Sequence, residues 1–287
     1  ALDILLQTDP FPEFTGAICP APCETACVLG INDDPVSIRA IELAIIEKGF
    51  AEGYMAPRPP SQRRTEQVAV VGSGPAGLAA AQILNGSGYN VTVYELAANP
   101  GGILRYGIPD FKLEKRILDR RIALMSDEGV VFETGVEIGV DISHRYLQDR
   151  FDAIMLTGGA REPRDLDVPG RRLDGIHFAM DFLVQQNMLL AGEHVEHDDR
   201  ITANHKCVVI LGGGDTGSDC LGTSLRQGAR EVSQFEILPE PPACRAGSTP
   251  WPQWPLMRRD SSSHKEGGQR CWSVTTEAFG GKNGCVE

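Results

Sequence analysis

Two stretches of the chain carry the same pattern of glycines. The first, at residues 68–81, reads VAVVGSGPAGLAAA, and the second, at residues 207–220, reads CVVILGGGDTGSDC. Each begins with a short apolar run, continues with glycines spaced Gly-x-Gly-x-x-Gly and leads into a stretch that favours a helix. The chain is therefore predicted to contain the same β-strand, tight turn and helix twice.

The first glycine loop has the features of a dinucleotide site. Gly72 permits the tight turn, Gly74 allows the backbone to approach a pyrophosphate, and Gly77 lets the following helix pack closely on the strand. The next strand, NVTVYE, ends in Glu95, whose carboxylate can accept hydrogen bonds from a ribose. These features favour a dinucleotide site over a chance glycine turn. The predicted site residues are Gly72, Gly74, Pro75, Ala76, Gly77 and Glu95.

The second glycine loop repeats this design, and its second strand ends in Glu236. We expect Asp215 to turn away from the pyrophosphate, because two anions repel each other, and to cap the helix. Two loops imply two dinucleotides, and the simplest pairing is a flavin with a nicotinamide cofactor, between which a hydride can pass. The alternative is a duplicated fold whose second site has lost its function. The predicted site residues are Gly212, Gly214, Asp215, Thr216, Gly217 and Glu236.

The residue at the end of the second strand bears on the choice between NADH and NADPH. Sites for NADPH usually place a basic residue where the 2′-phosphate lies, whereas this chain has Glu236 there. The sequence therefore favours NADH slightly. Arg230 and Arg245 are the candidates for reaching a 2′-phosphate instead.

Three cysteines lie close together in CPAPCETAC, with three residues between neighbours. Pro20 and Pro22 argue against a continuous helix, because a proline inside a helix removes a donor and clashes with the preceding turn. We expect a tight non-helical loop from Cys19 to Cys23, with a helix beginning only at Cys23. Cys27 would bring a third thiolate to the same point. Thiolates gathered in this way favour an iron-sulfur cluster or zinc over structural thiols or a disulfide.

Composition excludes some classes of protein. A chain of 287 residues can form two domains, and its formal charge of -12 is not that of a nucleic-acid-binding protein. Glycines interrupt the longest weakly charged run, so no membrane span is expected. The start of the chain lacks the pattern of a secretory signal, which favours a cytoplasmic location.

The chain resembles the glutamate synthase small (beta) subunit family, and more broadly the flavin and iron-sulfur module shared with dihydropyrimidine dehydrogenase. The resemblance is carried by FPEFTG, CPAPCE, VVGSGPAGLAAA, YGIPDFKLEK, PRDLDVPG, GIHFAMDFL, GGGDTGSDC and PWPQWP, which together span nearly the whole chain.

The resemblance implies an α/β fold with two Rossmann-like dinucleotide-binding units, for FAD and NAD(P)H as in disulfide reductases, preceded by a small α-helical iron-sulfur domain. We expect an iron-sulfur domain at residues 1–62, an FAD domain at 63–165, a connector at 166–200 and an NAD(P)H domain at 201–287. We also expect the first domain to be incomplete at its N-terminus, the C-terminal flavin segment to be absent and the last domain to be truncated.

The resemblance also implies roles for further residues. Cys19, Cys23 and Cys27 are similar to ligands divided between two [4Fe-4S] clusters, and Glu42 falls where dihydropyrimidine dehydrogenase has an unusual side-chain ligand. Other residues are similar to those that border the flavin. These are Gly101, Gly102 and Leu104 of one loop, and Thr157 and Gly158 of another.

The implied activity is electron transfer from NAD(P)H through FAD and [4Fe-4S] clusters to the large (alpha) subunit of glutamate synthase. That subunit would make glutamate from glutamine and 2-oxoglutarate. One alternative is an NAD(P)H oxidoreductase of the same module with a ferredoxin-type acceptor, and another is a truncated fragment that binds a nucleotide or partner without turnover. No catalytic side chain is assigned, because hydride transfer asks mainly for positioning.

Several remaining residues are expected to be structural. Trp251 and Trp254 are expected to pack over an apolar edge, with a partner surface as the alternative. His264 is expected to lie on the surface of a solvated loop, and Cys207 and Cys220 to lie in the core.

Overall fold

The computed structural model describes residues 1–196 and 200–287. The chain divides into two compact units, Ala1–Arg161 and Glu162–Glu287. The finer predicted division at residues 62, 165 and 200 stays a prediction. Within the described residues, no helix combines the length and the apolar character needed to cross a membrane.

The first unit begins with short helices and continues with a parallel sheet. The four N-terminal helices are α1 Leu2–Leu5, α2 Pro12–Ile18, α3 Pro22–Thr25 and α4 Ile38–Ala51, with a 3-10 turn at Val28–Ile31. The strands are β1 Gln67–Val71, β2 Asn90–Glu95, β3 Val131–Thr134 and β4 Ala153–Leu156, in the order β3-β2-β1-β4. The helices between them are α5 Pro75–Gly86, α6 Ile103–Tyr106, α7 Lys115–Asp127 and α8 His144–Arg150.

The second unit repeats the strand, glycine turn and helix. Its parallel sheet has the order β5-β6-β7, with β5 Cys207–Leu211, β6 Glu231–Glu236 and β7 Gln269–Trp272. Its helices are α9 Ala179–Leu190, α10 Asp215–Arg226 and α11 Ser262–Glu266, and β8 Gly281–Lys282 pairs antiparallel with β9 Cys285–Val286. The core contains Phe182, Leu183, Ile210, Leu221 and Val232.

This architecture confirms the predicted α/β fold, in which N-terminal helices precede two Rossmann-like units. Glu95 and Glu236 end β2 and β6 as expected. Because β1 pairs in parallel with β2, and β5 with β6, each glutamate lies at the same sheet edge as the glycine turn that follows the neighbouring strand.

The N-terminal helices share a hydrophobic core with the first sheet. Phe11 and Phe14, from the α2 segment, lie in one buried cluster with residues of β1, α5, β2 and α7. Inside this contact, Glu13 receives two hydrogen bonds from the Arg121 guanidinium, at 2.5 and 3.0 Å. Both side chains are almost fully buried, at 0% and 3% exposure. The N-terminal helices are therefore part of the first compact unit.

Each glycine turn depends on one very close approach between its helix and its own first glycine. A Cβ atom added to Gly77 would lie 1.9 Å from the carbonyl oxygen of Gly72, and one added to Gly217 would lie 2.3 Å from that of Gly212. Neither contact could relax cheaply, because the atom struck belongs to the backbone. The third glycine of each loop thus sets how closely helix and strand pack.

Some expectations about structural residues were wrong. Residues 262–266 form α11 instead of a loop, because Ser261 and His264 form a reciprocal cap. His264 is accordingly half-buried and not a surface side chain. Cys207 is exposed and accepts a hydrogen bond from Arg230, whereas Cys220 is buried, as expected, and burial raises its pKa to about 12.

The proline argument for the cysteine loop was also wrong in one detail. A helical turn begins at Pro22, not at Cys23, because proline is well tolerated at the first position of a helix, where no donor is needed.

Trp251 and Trp254 remain 41% and 42% exposed, so they pack only in part, and Arg259 stacks over Trp254 at 4.0 Å from the ring centroid.

The buried ion pair yields the first testable expectation. Glu13→Gln leaves the Arg121 charge buried without a counter-charge, and we expect the free energy of unfolding to fall by about 3–5 kcal/mol. The matched control is Glu47→Gln, because its partner Arg120 is 28% exposed. Loss of that ion pair should lower the free energy of unfolding by about 1 kcal/mol or less. Urea titration compares the two, and equal losses would contradict the role of burial.

The close contact of Gly77 with the Gly72 carbonyl yields the second testable expectation. Gly77→Ala places a methyl group against the Gly72 carbonyl, and we expect it to destabilise the first unit by more than about 3 kcal/mol. Gly86→Ala is the control in the same helix, since an added Cβ there meets nothing within 4 Å and alanine favours helix. Urea unfolding followed by far-ultraviolet circular dichroism measures both. A Gly77 variant as stable as the Gly86 variant would refute the close contact.

Candidate functional site

Thr157, predicted to border the flavin, holds the first glycine turn in place. Its hydroxyl donates to the Gly72 carbonyl at 2.8 Å and contacts the Val71 carbonyl at 3.0 Å, while its N–H donates to Val71 at 2.8 Å. Gly158, which follows, is exposed. The structure therefore brings the Thr-Gly step after β4 against the loop after β1.

Glu95 lies beside the same turn and is fixed by backbone donors. One carboxylate oxygen accepts the Ser73 N–H at 3.0 Å as well as the Ser73 hydroxyl, and the other accepts the Ala97 N–H at 2.9 Å. Charged acceptors held by backbone N–H groups are well ordered. The carboxylate is thus placed at the end of β2, where a ribose is expected.

The predicted flavin loop also reaches this turn. The Gly101 N–H donates to the Ser73 hydroxyl at 2.8 Å, and a Cβ added to Gly102 would lie 2.7 Å from the Gly74 Cα. Leu104, by contrast, is buried in the core at 3% exposure, so its side chain supports the loop from behind.

The surface of the first loop fits the pyrophosphate of a dinucleotide such as FAD. Pro75 and Ala76 are exposed in the first turn of α5, and a Cβ added to Gly74 would meet nothing within 4 Å. The bare backbone at Gly74 and the start of the helix therefore face open space, as an anion site at a helix N-terminus requires.

Glu236 repeats the arrangement of Glu95 in the second unit. One oxygen accepts the Gly213 N–H at 2.8 Å, and the other accepts the Leu238 N–H at 2.8 Å. The donors occupy the same two places relative to the turn and the strand end as Ser73 and Ala97 do in the first unit. The predicted equivalence of the two glutamates is confirmed.

The remaining residues of the second loop are exposed. Gly212, Gly214, Asp215 and Thr216 all face solvent, and Gly217 is half-buried against the turn. Asp215 was expected to cap α10, but it is the first residue of that helix, and Gly214 stands at the N-cap without a side-chain cap bond among the described residues. A capping side chain must come from the N-cap position, one residue earlier.

Sequence reasoning missed two polar residues behind this loop. The Gln234 side-chain amide donates to the Gly212 carbonyl at 2.8 Å, and its oxygen meets His264 Nε2 at 2.8 Å. The available signal was the alternation of β6, which places Gln234 on an inward-facing position between Val232 and Glu236. Nothing in the sequence placed His264 beside it.

Of the two arginines suggested for a 2′-phosphate, Arg230 lies elsewhere, and the suggestion for Arg245 stays a prediction. Arg230 precedes β6 and hydrogen-bonds Cys207 at the start of β5, which is the sheet edge opposite the glycine turn. Arg245 donates to the Thr249 and Gln253 carbonyls of its own loop.

A cavity of about 250 Å³ lies beside the end of β7, whose Trp272 pairs with Glu236 in the sheet register. Arg258 and Arg270 each lie 5.2 Å from the Trp272 ring centroid. Lys265 and Asp260 also line the cavity. Asp260 pairs with Arg270, and Glu240 pairs with Arg258, so the cavity keeps only a small excess of positive charge.

Two of the three clustered cysteines, Cys19 and Cys27, have backbone donors at their sulfur atoms. Cys19 Sγ accepts the Ala21 N–H at 3.4 Å, and backbone N–H groups, Val36 first, hold the pKa of Cys27 below its ordinary value. Such donors stabilise a cluster-bound thiolate. In residues 1–196 and 200–287, however, no three Cys, His, Asp or Glu side chains gather closely enough to hold a metal ion.

Glu42, the further ligand candidate, lies on α4 in an acidic neighbourhood. Burial raises its pKa above the ordinary value, and the nearby charges of Asp9 and Glu24 raise it further. Its role as a ligand stays a prediction, as do those of Cys19, Cys23 and Cys27.

Comparison with known proteins agrees with this geometry. Residues 1–54 match the family described as dihydropyrimidine dehydrogenase domain II, 4Fe-4S cluster, and residues 66–246 match pyridine nucleotide-disulphide oxidoreductase. Among solved structures, FprA from Mycobacterium tuberculosis has a TM-score of 0.52 at 25% identity, covering 61% of this chain and 44% of that chain. A 2-naphthoyl-CoA reductase complex has a TM-score of 0.56 at 15% identity over 87% of this chain and 33% of its own, which shows the fold alone.

Curated relatives are more similar. A glutamate synthase [NADPH] small chain of Mycobacterium tuberculosis is 58% identical over 100% of this chain, which spans 59% of that relative's length. The Bacillus subtilis glutamate synthase [NADPH] small chain is 49% identical over 89% of this chain and 52% of its own. The glutamate synthase [NADH] of Schizosaccharomyces pombe is 50% identical over 97% of this chain and 14% of its own.

Two dinucleotide loops of equivalent geometry, the cysteine-bearing N-terminal segment and identity over the full length of the chain all agree. The chain belongs to the glutamate synthase small-chain family of oxidoreductases.

Proposed function

We propose that this chain passes reducing equivalents from a nicotinamide coenzyme, through FAD and [4Fe-4S] clusters, to the large subunit of glutamate synthase. The observation that carries the proposal is the repeated loop geometry. In each unit a strand-end carboxylate is held by two backbone N–H groups beside a glycine turn. This geometry supports one dinucleotide in each unit, and the relatives' names support the reaction.

We assign FAD to the first unit. When bound, FAD supplies the ability to accept a hydride and to release its two electrons singly. The protein's part would be positional: Thr157 holds the turn at Gly72, the start of α5 would face the pyrophosphate, and Glu95, held by the Ser73 N–H, would accept from the ribose. Gly101 and Gly102 keep the neighbouring loop close to this turn without side chains in the way.

We assign the nicotinamide coenzyme to the second unit and cluster ligation to the cysteine segment. Glu236 would accept from the coenzyme ribose, and the exposed first turn of α10 would face its pyrophosphate. Cys19, Cys23 and Cys27, with Glu42, would contribute to the cluster ligands. The large subunit would then reduce 2-iminoglutarate, formed from 2-oxoglutarate and glutamine-derived ammonia. A cytoplasmic location is part of the proposal.

The coenzyme preference is a finer proposal. The relatives are named for NADPH and for NADH, so they give no support to the lean toward NADH. The geometry at Glu236 alone favours NADH, because a carboxylate held beside the turn repels a 2′-phosphate. The positively charged cavity beside Trp272 is the competing feature.

The assignment of the two dinucleotides can be tested with matched variants. Absorption spectra of anaerobically purified protein should show flavin bands over a broad iron-sulfur shoulder, and reduced coenzyme should bleach the flavin. Gly77→Ala should lose the flavin, whereas Gly217→Ala should retain it but no longer be reduced by the coenzyme. The opposite pattern would reverse the assignment, and a colourless wild-type protein would remove it.

Coenzyme preference is tested by titrating the flavin with each coenzyme. NADH should bleach the flavin at a lower concentration than NADPH. If NADPH is preferred, the positively charged cavity and not Glu236 determines the coenzyme preference. Replacing Arg258 and Arg270 with alanine should then weaken the binding of NADPH and leave that of NADH unchanged. Arg230→Ala is the control, because this side chain lies at the opposite sheet edge and should change neither coenzyme.

The acceptor is tested by co-expression with a glutamate synthase large subunit. Co-purification of the two chains and glutamate formation that depends on both are the expected results. Efficient reduction of a ferredoxin by this chain, without any association with the large subunit, would favour the alternative acceptor.

A further inference from the structure

In both units a side-chain donor holds the carbonyl of the first glycine. Thr157 Oγ1 donates to Gly72 at 2.8 Å, and Gln234 Nε2 donates to Gly212 at 2.8 Å. The third glycine packs on the same donor. An added Cβ on Gly77 would lie 2.9 Å from Thr157 Oγ1, and one on Gly217 would lie 2.6 Å from Gln234 Nε2.

The two donors therefore do the same task from different strands. Thr157 follows β4, whereas Gln234 lies inside β6. A threonine hydroxyl is short and is placed by its own backbone. A glutamine amide stands at the end of a longer, rotatable side chain and needs a second contact to fix its orientation.

His264 provides that second contact. Gln234 is 1% exposed, and because its NH₂ group faces the Gly212 carbonyl, its oxygen must face His264 Nε2, at 2.8 Å. Nε2 therefore carries the proton and donates. Nδ1 is then the acceptor, which matches the Ser261 N–H that donates to it at 3.1 Å.

The contacts continue to the helix behind the loop. Ser261 Oγ meets His264 Nδ1 at 3.0 Å and Ser218 Oγ at 2.5 Å. Ser218 follows Gly217 in α10, the helix after the loop. The hydrogen bonds therefore run from Gly212, through Gln234, His264 and Ser261, to α10. We call Gln234, His264 and Ser261 the loop brace.

The loop in front of the brace has little other support. Residues 211–216 are exposed, and a Cβ added to Gly212 or Gly214 would meet nothing within 4 Å. Apart from the helix and strand that it joins, the described contacts of the loop are three: the Gly212 N–H donates to the Phe235 carbonyl at 2.8 Å, the Gly213 N–H donates to Glu236, and the brace holds the Gly212 carbonyl.

We infer that His264 and Gln234 are positioning residues for the nicotinamide coenzyme. Through the Gly212 carbonyl they orient the peptide groups of the loop, so that the start of α10 faces the coenzyme pyrophosphate. This inference rests on the proposed function, in which the second loop binds the coenzyme. The brace acts on the part that NADH and NADPH share.

The test separates the brace from the helix cap. Gln234→Leu removes the brace and leaves the Ser261–His264 cap of α11 in place. His264→Gln keeps both contacts, because its amide oxygen can accept the Ser261 N–H while its NH₂ group donates to Gln234. His264→Ala loses both contacts. His194→Ala is the control, because His194 is 81% exposed in the same unit.

Binding is measured by isothermal titration calorimetry on the full chain, with NADH and NADPH as probes. His264→Ala should raise the dissociation constants of the two coenzymes by about tenfold and by equal factors, since one buried hydrogen bond is lost, and His264→Gln should match the wild type. The flavin content and the His194 variant should match the wild type. Gln234→Leu should weaken binding similarly, and the Gln234/His264 double variant should be no weaker than the Gln234 single variant.

Four outcomes would overturn the inference. Wild-type affinity in Gln234→Leu, with loss only in His264→Ala, would make His264 a helix cap and nothing more. Weakening of NADPH alone would place the effect in the cavity beside Trp272. Additive losses in the double variant would show that Gln234 and His264 act separately. If the wild-type chain binds neither coenzyme, the proposed function of the second loop fails and the inference falls with it.

Discussion

The close approach of a helix to its own turn is the constraint on which both sites depend. At Gly77 and Gly217 the helix lies so near the first glycine's carbonyl that a single methyl group would strike backbone. This contact places the first turn of each helix beside the end of the neighbouring strand. Only then can one carboxylate, Glu95 or Glu236, accept hydrogen bonds from both the turn and the residue after its own strand. In both units, the position of the carboxylate therefore depends on the close packing of helix and turn.

The same turn is secured by different means in the two units. Thr157 follows the strand beside β1 and reaches Gly72 directly, while Gln234 reaches Gly212 from β6 and relies on His264 for its orientation. What the fold preserves is a donor at one point in space and not a residue at one point in the sequence. In the first unit, the buried pair Glu13–Arg121 additionally joins α2, which ends just before Cys19, to α7, a helix of the unit that is proposed to hold the flavin.

Much of the fold followed from local pattern. The strand ends at Glu95 and Glu236 were predictable because apolar runs, glycine spacing and terminal acids are read along the chain. The Asp215 cap, the start of α3 and the surface position of His264 were not predicted correctly. In each case a one-residue shift in a helix boundary, or a reciprocal cap, decided the outcome, and boundaries are set by hydrogen bonds that residue type alone does not specify.

The sequence by itself determined that there are two strand-turn-helix units, which glycines must approach backbone and which acids end the second strands. It did so because these properties depend on residues close together in the chain. Only the tertiary structure decided that Thr157 and Gln234 serve the same carbonyl, that His264 stands behind Gln234 and that Arg230 faces the wrong edge of the sheet. These partners are distant in the chain, and their meeting depends on strand order and register, which local spacing does not encode.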